Sequence, residues 1–245
     1  MEDNNNMTLP LEEADNNITE SPVSSVEYTD DNIRHLDDME HIRVRSGMYI
    51  GRLGDGSQND DGIYVLLKEV MDNSIDEFIM GHGKRIELAI EDHCVAIRDF
   101  GRGIPLDKVV ECVSVMNTGG KYNDDVFKFS IGLNGVGTKA VNALSEFFLV
   151  RSIRDGRFHE ARFERGVLTG EETGDSSEKN GTFVRFVPDA QLFPNYEFKL
   201  EYIEKRLWMY AYLNSGLSLY FNGQRYYSAN GLQDLLESET GEERL

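Results

Sequence analysis

Glu69-Val70-Met71-Asp72-Asn73-Ser74-Ile75-Asp76-Glu77, followed by Asp99-Phe100-Gly101-Arg102-Gly103-Ile104-Pro105, decides how this chain is read. At 100° per residue, Glu69, Asn73 and Asp76 stand at i, i+4 and i+7, one polar stripe of a helix. Leu67, Met71, Ile75 and Phe78 fall roughly opposite, where they can face a core. A carboxylate and a carboxamide one turn apart suit a general base beside a metal-ion ligand. An ordinary solvated helix face has the same pattern, and this segment alone does not separate the two readings.

The second segment closes an apolar strand, His93 to Asp99, with an acid. Gly101 and Gly103 let the backbone turn sharply and approach a ligand with no Cβ in the way, and Pro105 fixes the exit from the turn. An acid at such a strand end can accept a hydrogen bond from an exocyclic amine, the edge an adenine presents. Asp-x-Gly-x-Gly by itself is a common turn. Downstream, Thr118-Gly119-Gly120-Lys121 and Gly132-Leu133-Asn134-Gly135-Val136-Gly137-Thr138-Lys139 lead into a predicted helix from Ala140 to Leu144. Glycine-rich backbone of this kind offers amides to phosphate oxygens, and it serves equally well as a flexible lid. It is no Walker loop, because Thr138-Lys139 stands where Lys-Thr is required. Nor is Gly101-x-Gly103 a dinucleotide fingerprint, because Leu106 takes the third glycine's place.

Around these pieces the pattern predicts helices over 31–41, 62–80, 107–116 and 198–213, the last carrying the only tryptophan, Trp208, as a core residue. Strands are expected over 84–91 and 93–99 around Asp92, 147–153 and 157–164 across Asp155-Gly156, 182–187, and 217–221 and 224–227 across Asn222-Gly223. Hairpins mixed with helices point to an α+β two-layer sandwich, helices packed on one face of a mostly antiparallel sheet.

A chain of 245 residues can bury a full core, and 40% hydrophobic composition is ordinary for a soluble globular protein. The first 40 residues hold twelve acids against one arginine, −11 of the total −19. Such an acidic balance argues against this chain gripping DNA unaided, since nonspecific DNA affinity comes from lysine and arginine neutralising phosphates. Residues 1–25 read as a disordered acidic tail without a basic start or apolar run, so no secretory signal and no membrane span are expected. Two cysteines, Cys94 on a strand and Cys112 on a helix, are too few for a disulfide scaffold, and a reducing cytoplasm fits. The five histidines show no metal-ligand spacing.

With the three segments in order, the chain resembles the ATP-binding domains of the GHKL superfamily, and within it the B subunits of bacterial type IIA DNA topoisomerases. The resemblance is carried by Arg45 to Gly51, Glu69 to Glu77, Asp99 to Pro105, Gly119 to Lys121, Gly132 to Gly137, Val141 to Ser145 and Gly181 to Pro188, spread over roughly residues 28–225. Three positions depart from the family's pattern: Ser46 replaces a proline, Asn134 a histidine, and Val65 a histidine that assists the water-activating glutamate. The domain layout implied is an N-terminal arm at 26–45, the ATP-binding domain at 46–227 with a lid near 117–137, and the start of a linker or further domain at 228–245.

The resemblance implies a Bergerat-type fold holding ATP and Mg2+. Glu69 is expected as the general base, Asn73 as the metal ligand and Asp76 as a supporting group. Asp99 would receive the adenine amine with Thr182 beside it, and Arg102 would pair with Glu77 along the purine edge, near Gly103, Ile104 and Pro105. Gly119, Gly120, Lys121, Gly132, Leu133, Asn134, Gly135, Val136, Gly137 and Thr138 would hold phosphates. Tyr28 would reach a partner protomer's nucleotide, and Arg154 would stand at a pocket mouth open to coumarin-type inhibitors. The implied partners are a second B subunit closing on ATP, the topoisomerase A subunit, and DNA through the full-length enzyme, with the topoisomerase IV type preferred slightly over gyrase. Two other classes compete: an ATP-driven switch of the chaperone or mismatch-repair kind, and a nucleotide-binding module without catalysis.

Overall fold

Four tight turns organise the sheet. Asp92-His93, Asp155-Gly156, Arg165-Gly166 and Asn222-Gly223 each place two successive residues at positive φ, between 45° and 88°. That is the requirement of a two-residue type I′ hairpin, whose twist matches the strands it joins. They connect β1 (Arg85–Glu91) to β2 (Cys94–Asp99), β3 (Ser145–Arg154) to β4 (Arg157–Glu164), β4 to β5 (Val167–Asp175), and β7 (Ser218–Phe221) to β8 (Gln224–Tyr226). With β6 (Gly181–Pro188) they form one eight-stranded sheet in the order β5-β4-β3-β6-β2-β1-β7-β8. Every neighbouring pair is antiparallel except β1 and β7. This computed structural model describes residues 36–118 and 135–241.

The helices are α1 (Asp38–Val44), α2 (Gly47–Ile50), α3 (Gly62–Ile79), α4 (Val109–Ser114), α5 (Gly137–Ala143), α6 (Leu200–Leu213) and α7 (Leu232–Thr240). Strand β2 alternates half-exposed and buried positions, as expected when helices cover one face. Val95, Ile97, Phe148, Val150 and Phe186 of the sheet share one hydrophobic cluster with Leu67, Val70, Met71 and Ile75 of α3 and Ile203, Leu207 and Ala211 of α6. The expected α+β sandwich is therefore the fold. No helix among the described residues is long and apolar enough to cross a membrane.

Helix α3 is held from both sides. Ahead of it, the fully buried carboxylate of Asp61 accepts hydrogen bonds from the amides of Gly56 (2.9 Å) and Gln58 (3.1 Å) and pairs with Arg52. Along it, eleven of eighteen residues are buried. Glu69 and Asn73 are half-buried and Asp76 is fully buried, so the polar stripe is not a solvated face.

Several expectations shift. Helix α1 begins at Asp38, capped by Asp37, which accepts from the Glu40 amide at 2.8 Å, and it runs on to Val44; of the helix expected over 31–41, residues 31–35 lie outside the described residues. The helix expected over 107–116 is a 3-10 turn, Leu106–Lys108, followed by the shorter α4. Strand β5 has no counterpart among the expected strands; as an edge strand exposed along most of its length, it carries no hydrophobic alternation to detect. Trp208 is no core residue, being 37% exposed. The buried stripe of α6 is Ile203, Leu207 and Ala211, one position off, and Trp208 stacks instead on Tyr212 with centroids 5.6 Å apart.

Candidate functional site

Five segments converge around α3: the end of β2, the turn after it, the start of α5, the end of β3 and the start of β6. Asp99 closes β2 with its side chain almost fully buried. Its Oδ1 accepts the amides of Gly101 (2.9 Å) and Thr182 (3.1 Å), so both backbone bonds fall on one oxygen and Oδ2 is left for a ligand donor. Burial pushes the carboxyl up to about 6, against the opposing pull of those two amides.

This shift carries a stability consequence. The folded pKa lies above the ordinary value of 3.8, so the folded state binds the proton more tightly, and stability is lost as pH rises from about 4 to about 6. Asp99→Asn keeps an Oδ1 acceptor and removes the charge. The unliganded variant should therefore be more stable than the parent at pH 7.5, by roughly 2–3 kcal/mol, with the gap closing toward pH 4. Thermal unfolding of both proteins across that range checks it; a variant less stable at pH 7.5 would contradict the buried charge.

The turn after Asp99 is fastened to α3. Glu77 accepts from the Arg102 amide (2.8 Å), from Nε (3.0 Å) and from Nη2 (2.9 Å), the expected pair in bidentate form. Those bonds hold the Arg102 guanidinium above its ordinary range. Gly103 takes φ +77°, and a Cβ there would lie 2.6 Å from the Ile153 carbonyl oxygen, so the turn lies directly on the end of β3. Ser152, which sequence reasoning missed, donates to the Ile104 carbonyl at 2.7 Å and completes that seam. Pro105 is exposed and Ile104 half-buried against the core. Arg154 is the next residue of β3 after Ile153, 39% exposed, with Nε 3.6 Å from Asp155.

About two turns nearer the start of α3, Glu69 meets the first turn of α5. A Cβ on Gly137 would lie 1.9 Å from Glu69 Oε2, so only glycine admits this approach. One turn on, Asn73 Nδ2 donates to Thr138 Oγ1 at 2.7 Å, which orients the carboxamide. Gly135, Val136, Gly137 and Thr138 are half-buried at this approach. Lys139 turns away and is buried, its ammonium donating to the carbonyls of Thr118 and Gly135.

Glu69, Asn73, Gly137 and Thr138 are thus in one group, and Asp99, Thr182, Arg102, Gly103 and Glu77 in a second, with α3 carrying members of both. Asp76 is buried between them in the helix. Tyr28, Gly119, Gly120, Lys121, Gly132, Leu133 and Asn134 lie outside the described residues. Among the described residues, no set of three or more His, Cys, Asp or Glu could hold a metal ion. The Asn73 carboxamide oxygen fits Mg2+ shared with phosphates and water rather than a protein cage.

Residues 58–192 match the family described as histidine kinase-, DNA gyrase B-, and HSP90-like ATPase. The chain is 58% identical over 212 residues to the B subunit of DNA topoisomerase 4 of Borreliella burgdorferi, covering 86% of this chain and 35% of that protein. To the B subunit of DNA gyrase of Thermotoga maritima it is 40% identical over 212 residues, covering 81% and 32%. Among solved structures it is similar to the 43K ATPase domain of Thermus thermophilus gyrase B in complex with an aminocoumarin, at TM-score 0.71 and 31% identity, covering 84% of this chain and 56% of that one. The chain spans about a third of the length of these two curated relatives.

Proposed function

Because the chain belongs to the histidine kinase-, DNA gyrase B- and HSP90-like ATPase family, as the ATPase domain of a type IIA topoisomerase B subunit, we propose that Glu69 and Asp99 divide its work between chemistry and recognition. The observation that carries this is α3 itself: one helix presents a half-buried carboxylate to the α5 turn and fastens the turn that follows the buried carboxylate of Asp99. Asp99 Oδ2 accepts the exocyclic amine of adenine, while Arg102, held by Glu77, and Ile104-Pro105 wall the purine. The amides of Gly135 to Thr138 receive phosphate oxygens. Asn73 would hold Mg2+, which when bound neutralises charge on the phosphates.

Hydrolysis then needs one proton transfer. Glu69 takes the proton from a water as its oxygen bonds to the γ-phosphorus, and the bond from γ-phosphorus to the bridging oxygen breaks, leaving the electron pair on ADP. In the whole enzyme, ATP binding closes two B subunits into a gate, with Tyr28 reaching the partner's nucleotide, and hydrolysis resets the gate for DNA strand passage alongside the A subunit. The higher identity to the topoisomerase IV relative than to the gyrase relative, 58% against 40%, supports the topoisomerase IV type. A bacterial enzyme acting on chromosomal DNA works in the cytoplasm, and that is the compartment assigned to this one.

The same pocket should take an aminocoumarin, as the structurally similar gyrase domain does. One buried polar anchor in an apolar cleft is the usual recipe for a small-molecule site. Novobiocin is expected to compete with ATP for this domain, and Arg154→Ala to weaken the drug more than the nucleotide, because Arg154 stands beyond the adenine footprint. Competition calorimetry tests this; simultaneous binding, or equal loss of both ligands, would refute the pocket geometry.

A further inference from the structure

We propose that Lys68 is a positioning residue for Glu69, held in place by Asp72 and Tyr210; the proposal rests on the reading of Glu69 as the base. Lys68 Nζ lies 4.0 Å from Glu69 Oε1 and 2.5 Å from Asp72 Oδ2. The other oxygen of Asp72 accepts the hydroxyl of Tyr210, from α6, at 2.7 Å.

A lysine on a helix surface ordinarily averages over many rotamers, and an exposed ion pair of that kind contributes little. Lys68 is 43% exposed, but its anchor is not: the Asp72 side chain is 4% exposed and is fixed from a second helix. The ammonium is therefore tied to one side of the Glu69 carboxylate. On the other side, Oε2 occupies the space that a Cβ on Gly137 would fill, 1.9 Å from where that atom would stand. The carboxylate is bracketed between a cation and a backbone turn, which restricts its rotation about the axis that aims it at water. Val65, one turn earlier on the same face, has no polar atom to share this task.

The two i,i+4 pairs, Lys68–Asp72 and Glu69–Asn73, run side by side, displaced by one residue along α3. The second carries the chemistry, and the first holds a charge against it. Burial and the neighbouring Asp72 push the Tyr210 phenol above its ordinary range, so it remains a hydrogen-bond donor throughout the working pH range. Tyr210 thereby ties the orientation of Glu69 to the placement of α6, a link that no local sequence pattern displays.

The test uses the full-length protein carrying this chain, with steady-state ATP hydrolysis, calorimetric ATP binding and thermal unfolding measured on Lys68→Met, Lys68→Arg, Tyr210→Phe and Glu69→Ala. Lys68→Met should lose roughly fivefold in kcat with ATP Kd within about twofold, the magnitude of a fixed, partly exposed charge pair. Lys68→Arg should recover most of the loss, and Tyr210→Phe should lose about twofold in kcat with the same Kd. A Lys68→Met protein with unchanged kcat, when Glu69→Ala is inactive, would overturn the proposal. So would a loss that tracks weaker ATP binding or a lowered Tm and is not rescued by arginine. If Glu69→Ala itself turns over ATP normally, the reading of Glu69 as base fails, and this proposal with it.

Discussion

Replacing Glu69 by alanine in the full-length protein is expected to reduce ATP turnover by ~10²–10⁴-fold while leaving nucleotide binding within a few-fold of the parent. A general base acts as the water's proton is lost, so its removal raises the barrier without removing a ground-state contact. The surroundings make the substitution clean. Glu69 is half-buried on the surface of a helix whose core face is Leu67, Met71 and Ile75, so alanine opens no cavity there. Gly137, which a Cβ would drive into Glu69, gains room rather than losing it. Calorimetry and a phosphate-release assay on one preparation separate the two quantities. Turnover near the parent's would remove Glu69 from the reaction.

The second large effect is on recognition. Asp99→Asn should weaken ATP binding by ~1–3 kcal/mol, roughly 5- to 150-fold, the loss expected when a buried charge-assisted hydrogen bond becomes neutral. The asparagine would still accept the Gly101 and Thr182 amides through Oδ1, so the local fold persists. Its other end, however, becomes an NH2 donor facing the donor amine of adenine. Combined with the predicted stabilisation of the unliganded variant at pH 7.5, the substitution should move stability and affinity in opposite directions. That opposition marks a carboxylate kept buried for a ligand rather than for the fold. Calorimetry giving unchanged affinity in the folded variant would exclude Asp99 from the pocket.

Parts of this site are local in the sequence, and those parts are legible there. The α3 stripe shows in 3.6-residue periodicity because Glu69, Asn73 and Asp76 sit within two turns. The hairpins at Asp92, Asp155-Gly156 and Asn222-Gly223 show in their turn residues. The Glu77–Arg102 pair follows from family resemblance rather than from spacing. What stays invisible depends on register between distant segments. The Thr182 amide reaches Asp99 across 83 residues only because β6 pairs with β2. Likewise, Tyr210 reaches Asp72 across 138 residues through the packing of α6 on α3. Trp208 shows the opposite failure: its size argues for burial, but the helix buries the stripe one residue away. The Gly137 contact with Glu69 needs coordinates, since a glycine-rich stretch announces freedom without naming what approaches it.

The most direct measurement is a crystal structure of this domain with a non-hydrolysable ATP analogue. The exocyclic amine of adenine is expected within hydrogen-bond distance of Asp99 Oδ2, and the γ-phosphate beside Glu69 at the turn of Gly135 to Thr138. A nucleotide bound with its adenine away from Asp99, or with its γ-phosphate out of reach of a water held by Glu69, would contradict the division of work between these two carboxylates.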